Sequence, residues 1–172
     1  QFDYKIWRHI LNSAGIERFP QYHFDMVRLG IGLHGISAVH ANLQPVSSFK
    51  TYISSIRNVS EGQSIGYGRK SYTTRPSRIA VIPVGYADGL NRRLSNRIGE
   101  VYVKDQRVPI IGNICMDTCM IDVTDTSAAI GDEVEIFGKH IPVSELSDKL
   151  GTIPYEILTG ISFRVKRVYY KE

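Results

Sequence analysis

The chain is poor in cysteine, has no long apolar run and no block of like charge, and each shortage removes a class of protein. Only Cys115 and Cys119 occur in 172 residues, so no disulfide framework is needed where the length already allows a sizeable core. Their spacing in Ile114-Cys115-Met116-Asp117-Thr118-Cys119-Met120 fits neither a Cys-x-x-Cys redox pair nor a zinc knuckle. We read them as free thiols in a reducing cytoplasm, and no metal is expected. No stretch approaches the roughly 20 apolar residues of a membrane span. The start, Gln1-Phe2-Asp3-Tyr4-Lys5, lacks the basic-then-apolar pattern of a secretory signal, and the absence of an initiating Met suggests a segment of a longer protein. Lys and Arg number 21 against 17 Asp and Glu, for a net charge of +4 and a pI near 9.1. Because the cations are scattered among the acids, a nucleic-acid partner is not expected.

What is present divides into two styles. Residues 1 to about 40 hold two short apolar stretches, Ile6 to Leu11 and Met26 to Leu29, each running into a turn of small residues. The order predicted is strand, loop, helix, strand. From Pro45 onward, Gly, Pro, Asn or Asp punctuate β-branched and aromatic segments every 8 to 15 residues, the pattern of an antiparallel barrel or sandwich. Strands are predicted at 79–84, 101–103, 108–111, 120–123 and 134–137, the second and third as a hairpin. The segment 49–59 also fits a helical period, but its Thr, Tyr and Ile content favours a strand. A helix is predicted over 142–150, started by Pro142 and stopped by Gly151, with another from Pro154 and a last strand over 163–169.

Two turns attract attention for chemistry. Asn12-Ser13-Ala14-Gly15 and Gly30-Ile31-Gly32-Leu33-His34-Gly35 follow successive apolar stretches. Late loops of a (β/α)8 barrel hold phosphate in this way, through backbone N–H groups and a hydroxyl. Ser13, Gly30 and Ile31 are the candidates. Arg28 puts a guanidinium inside an apolar stretch, either as an ion-paired or edge residue or as a group aimed at a ligand. Tyr67, between Gly66 and Gly68, sits on an uncluttered backbone and could serve as a base if its surroundings favour the phenolate. The turn Gly85-Tyr86-Ala87-Asp88-Gly89 is, on these grounds alone, indistinguishable from a surface loop.

Taken in order, His9-Ile10-Leu11-Asn12-Ser13-Ala14, Asp25-Met26-Val27-Arg28-Leu29-Gly30-Ile31, Gly66-Tyr67-Gly68, Pro83-Val84-Gly85-Tyr86-Ala87-Asp88-Gly89 and Gly112-Asn113-Ile114-Cys115-Met116-Asp117 resemble the motifs of bacterial alanine racemases. The resemblance implies a mainly β chain: residues 1–38 as the last βα units of a (β/α)8 barrel that binds pyridoxal 5'-phosphate, and 39–172 as the C-terminal β domain. It implies that Ser13, Gly30, Ile31 and Tyr155 hold the phosphate and that Arg28 faces the ring nitrogen, where it cannot give up a proton. Tyr67 would be one of two bases, Met116 would offer its N–H to the substrate carboxylate, and Tyr86, Arg92 and Ile153 would line the approach channel. Asn113 departs from members that carry Arg there. The cofactor-bearing Lys is not located in this chain, so the 172 residues alone are expected to be inactive and to self-associate through the incomplete barrel.

For the longer protein the resemblance implies a cytoplasmic isomerase. It would interconvert L- and D-alanine, supply D-alanine for peptidoglycan, and work as a homodimer with composite active sites, without nucleic acid or membrane. Two other readings remain beside it: a related racemase or decarboxylase with the same cofactor, and a basic β-barrel binding module. A fused cell-wall ligase upstream is compatible with the first.

Overall fold

The computed structural model describes residues 2–37, 39, 43–69 and 71–170, and its chain divides into two units, Gln1–Ser47 and Ser48–Glu172. The two family-like segments expected at 1–38 and 39–172 meet at residue 38, which lies outside the described residues. Period-two alternation builds the second unit, as a pleated strand requires when one face is buried. Its strands are β1 (Phe49–Tyr52), β2 (Ser55–Val59), β3 (Ser64–Ile65), β4 (Ser71–Tyr72), β5 (Ser77–Ile82), β6 (Glu100–Val103), β7 (Gln106–Ile111), β8 (Cys119–Asp122) and β9 (Glu133–Phe137). In β6, Val101 and Val103 are buried while Glu100 and Tyr102 are only half so. Cys119 and Ile121 do the same in β8.

Seven strands form one antiparallel sheet in the order β1-β9-β6-β7-β8-β5-β2, and β3 pairs with β4 separately. The 49–59 segment is therefore extended, as its composition suggests, but it is two strands at the two ends of the sheet. Between them stand only Ile53 and Ser54. Ile53 donates its N–H to Asp132 O at 3.0 Å and accepts from Gly131 N at 2.8 Å, whereas Ser54 N donates to Val81 O at 2.9 Å. Neighbouring residues thus bond to opposite flanks, and the sheet must curl round until its ends meet. The interior of the curl holds Ile53, Ile82, Ile110, Ile121, Val134 and Ile136, all buried.

The β6–β7 hairpin turns through Lys104 and Asp105, both with positive φ (47° and 58°), the two-residue geometry that matches the twist of paired strands. Strand β5 stops before Pro83, which has no N–H for a ladder. Helix α2 (Val143–Leu150) begins one residue later than predicted, with Pro142 as its N-cap and Gly151 closing it at φ 68°. It lays Leu146 and Leu150 on the core, and α3 (Pro154–Thr159) follows with Pro in its first turn. The helix of the first unit, α1, spans Ser13–Arg18.

Two expectations are corrected. Residues 163–169 form no strand: Arg167 curls back onto the carbonyls of Ile161, Ser162 and Val165, and Phe163 is 98% exposed. In the first unit, 6–11 and 25–29 are tied by Asp25 N to Arg8 O and Arg28 N to Leu11 O, but no strand is formed. Parallel strands hold when flanked and covered, and here each has one sparse partner.

The turn after β9 is held by a buried acid. Glu135, 5% exposed, accepts N–H bonds from His140 at 2.7 Å and Ile141 at 3.1 Å and meets His140 Nδ1 at 3.1 Å. The His140 ring in turn stacks on Tyr102 at 3.8 Å. Burial opposes ionisation of Glu135, yet the bonds from His140 and Ile141 outweigh it and hold the carboxyl below its ordinary value of 4.5. A depressed folded-state value gives stability that is full above the ordinary value and lost as pH falls through the lowered one. Glu135→Gln should therefore cost about 1–3 kcal/mol at pH 7, and the gap to wild type should shrink below pH 4.5. Urea unfolding of the chain across pH measures this, and parallel curves for the two proteins would refute it.

Candidate functional site

In the first unit Asn12 caps the helix Ser13–Arg18, its side-chain oxygen accepting from Gly15 N at 3.0 Å. This fixes the entry of the chain so that Ser13, only 3% exposed, turns its hydroxyl toward the second turn. Ser13 Oγ accepts from Gly30 N at 2.9 Å and from Gly32 N at 3.3 Å. The two turns paired by sequence are thus brought together on one oxygen. Ile31 opens the short 3-10 turn Ile31–His34, which Gly35 ends at φ 74°. A side chain at Gly32 would stand 2.8 Å from Leu29 Cδ1, so the Leu29 side chain packs over the turn here. Arg28 is exposed, and its Nη2 donates to Ile10 O at 3.0 Å. Its partner is a carbonyl, which leaves the charge uncancelled by that contact.

In the second unit Tyr67 follows β3 between Gly66 (φ 71°) and Gly68 (φ 80°), and it is 77% exposed. Asn113 Nδ2 donates to the Tyr67 carbonyl at 2.8 Å. Three residues further along the same loop is Met116, exposed, whose N–H donates to no acceptor among the described residues. That loop is locked to the turn holding Tyr86: Tyr86 N donates to Cys115 O and Ala87 N to Met116 O, each at 3.0 Å. The contact depends on Gly85, where a Cβ would lie 2.3 Å from both carbonyl oxygens.

An ion-pair clamp closes over this contact. Arg164 Nε donates to Asp88 Oδ1 at 2.7 Å and its Nη2 to Asp117 Oδ1 at 2.6 Å. Asp88 Oδ2 also accepts from Gly85 N at 2.8 Å. Burial would raise the Asp88 carboxyl, but Arg164 and the Gly85 N–H hold it below its ordinary value, and the two carboxylates push the guanidinium up. Tyr86 and Arg92 line a cleft of about 730 Å³ together with Gly89, Asn91, Glu156 and Gly160. Tyr155 and Ile153 are exposed at the start of α3.

The structure thus joins Ser13 with Gly30, the turn of Tyr86 with the loop of Met116 through Ala87 N and Met116 O, and Tyr86 with Arg92 in one cleft. Ser13, Arg28, Gly30 and Ile31 belong to the first unit, and Tyr67, Tyr86, Arg92, Met116 and Tyr155 to the second. Sequence reasoning missed Arg164, which lay in the segment taken for a strand, and Asp88, inside a turn read as ordinary. It also missed Glu156, which shares the cleft with Arg92. Only three-dimensional proximity reveals these three.

Known proteins resemble the chain over both units. The family model described as alanine racemase, N-terminal domain, matches residues 2–38, and alanine racemase, C-terminal domain, matches residues 46–169. Alanine racemase 2 of Caldanaerobacter subterraneus subsp. tengcongensis is 48% identical over 94% of this chain and 44% of its own length. The alanine racemase of Desulfosudis oleivorans is 43% identical with the same shares covered. Among solved structures, alanine racemase from Bartonella henselae with covalently bound pyridoxal phosphate superposes with a TM-score of 0.89 at 38% identity, covering 94% of this chain and 46% of that one. The Clostridium difficile 630 alanine racemase in complex with cycloserine gives 0.85 at 38% identity, covering 91% and 44%. The chain spans less than half the length of these relatives, and it belongs to the alanine racemase family.

Proposed function

We propose that this chain forms part of an enzyme that interconverts L- and D-alanine with pyridoxal 5'-phosphate. The observation carrying the proposal is Tyr67: an exposed phenol on a glycine-flanked backbone, tied through Asn113 to the loop that presents the Met116 N–H. Inverting an α-carbon needs a base on each face, because a single base tends to return the proton to the side it left. Tyr67 Oη would take or return the proton on one face. The opposite base is assigned to a lysine in the portion of the relatives that this chain does not span. Met116 N–H would hold the substrate carboxylate, and the Tyr86–Arg92 cleft would admit an amino acid.

The first unit fits the cofactor's phosphate. Ser13 Oγ gathers the Gly30 and Gly32 N–H groups onto one oxygen, and Ile31 N lies in the same turn, so a phosphate oxygen would meet the Ser13 hydroxyl and the Ile31 N–H, and the glycine N–H groups on exchange from Ser13. Tyr155 is proposed as a further phosphate partner. When bound, the cofactor supplies an electron-withdrawing ring that acidifies the α-proton. Arg28 would face the ring nitrogen and, keeping its own protons at ordinary pH, would leave that nitrogen unprotonated and restrain transamination.

The finer readings are carried by the same resemblance. They are D-alanine for peptidoglycan, a cytoplasmic setting, a homodimer whose β unit closes the partner's barrel, and domains at 1–38 and 39–172. No helix among the described residues is long and apolar enough to cross a membrane. Many cations are already paired with acids, as in Arg107–Glu145, Lys149–Glu100 and Arg97–Asp122, which favours a small-molecule site over a nucleic-acid face. The chain alone, with one assigned base, is proposed to be inactive.

In the full-length enzyme Tyr67→Phe should lower racemisation about 10²- to 10⁴-fold while cofactor absorbance persists; near wild-type rates in both directions would end the assignment. Arg28→Glu should let the ring nitrogen keep a proton and raise the ratio of keto acid formed to alanine racemised. Product analysis reads that ratio, and an unchanged value removes Arg28 from the role.

A further inference from the structure

We infer that Asn113 is a positioning residue that fixes the backbone carrying the Tyr67 phenol; the inference rests on the proposed role of Tyr67 as a base. Four consecutive residues, Gly66, Tyr67, Gly68 and Arg69, link β3 to the residues before β4, and Gly66, Gly68 and Arg69 all have positive φ (71°, 80° and 48°). Tyr67–Arg69 is a short 3-10 turn broken at Gly68 (φ 80°, ψ 2°), so its own hydrogen bonding restrains it weakly, and glycine adopts many backbone conformations at little cost. The bonds that restrain it are therefore decisive. Arg69 Nε reaches Ser64 Oγ only at 3.4 Å. Asn113 Nδ2, by contrast, donates to Tyr67 O at 2.8 Å.

The carboxamide is held from its other side as well. Asn96 Nδ2 donates to Asn113 Oδ1 at 3.2 Å, and Asn96 is itself fixed, its N–H donating to Gly112 O at 3.0 Å. Backbones meet directly at this point: a Cβ on Gly112 would stand 2.9 Å from Ile65 O, and one on Gly66 would stand 3.4 Å from Asn113 N. An amide is suited to the position because it donates to one neighbour and accepts from the other at once. Aspartate keeps the shape but has no donor, and its charge would face the Tyr67 carbonyl. Arginine has donors and no acceptor for Asn96. Since Asn113 and Met116 share one loop, the same residue sets the phenol relative to the N–H proposed to hold the carboxylate.

Misplacing a catalytic group by about 1 Å can cost on the order of 10²-fold. In the full-length enzyme, Asn113→Asp and Asn113→Ala should lower kcat roughly 10- to 100-fold with KM little changed. Because Tyr67 serves one face only, the α-deuterium isotope effect should rise for one alanine enantiomer and stay constant for the other. Tryptic cleavage after Arg69 should accelerate, reporting the loosened segment independently of turnover. Tyr67→Phe is measured in parallel. If it is inactive while Asn113→Asp keeps wild-type kcat and cleavage rate, the positioning role is overturned and the base assignment stands. If Asn113→Asp loses activity with equal isotope effects for both enantiomers and a matching drop in Tm, Asn113 is only structural and the inference fails. If Tyr67→Phe is active, the base assignment falls and takes this inference with it.

Discussion

Ile53 and Ser54 bond to opposite flanks of one sheet, and this single crossing constrains everything built on the second unit. A sheet whose first and last strands are two residues apart in sequence must curl, because strands that hydrogen-bond in series occupy nearly 5 Å each. The curl brings the two end strands, each paired along one side only, together at Ile53 and Ser54. It also provides an interior that isoleucine and valine fill, and it brings the connections at one rim near each other. The side chains with chemical potential are on those connections, as is usual where a rigid scaffold positions variable loops.

At that rim the fold relies on backbone-to-backbone contact more than on side-chain packing. Gly85 lies against the Cys115 and Met116 carbonyls so closely that no side chain fits, and two N–H groups of the Tyr86 turn bond to those carbonyls. Arg164 then spans Asp88 and Asp117 from above. An isolated exposed ion pair contributes little. Here, however, Asp88 is mostly buried and also accepts the Gly85 N–H, so the guanidinium completes a network that joins three segments. Its effect is to keep Tyr86 and Met116 in fixed relation.

Strands were legible where the code is local. Alternating Val in 101–103, the hairpin joining it to 108–111 and the Pro142 to Gly151 helix all declare themselves through periodicity and capping, and the structure places elements there. The 163–169 segment has the alternation of a strand, but alternation does not say whether a partner exists, and Arg167 takes its own carbonyls instead. The 6–11 and 26–29 stretches fail similarly, since a parallel strand depends on neighbours that its own residues cannot specify. Ser13 and the Gly30 turn were readable as a pair because each is a local motif after an apolar stretch. Arg164, Asp88 and the Asn113 contact to Tyr67 were not, because each is defined by a partner 46 to 76 positions away.

The exposure of the rim bears on how the proposed enzyme divides its work. A general base acts well where water is excluded and charge is met by fixed dipoles, yet Tyr67 and Met116 are both open to solvent on this unit. One wall cannot dry a site. The second wall must come from another surface, which in the proposed homodimer is the barrel that holds the cofactor. On that reading the phosphate turns and Arg28 belong to the holding side and Tyr67, Met116 and Tyr86 to the closing side. The stiffness of the rim then has a clear purpose: a wall already ordered by Gly85, Arg164 and Asn113 can present a proton acceptor and an N–H donor without reorganising when the two surfaces meet.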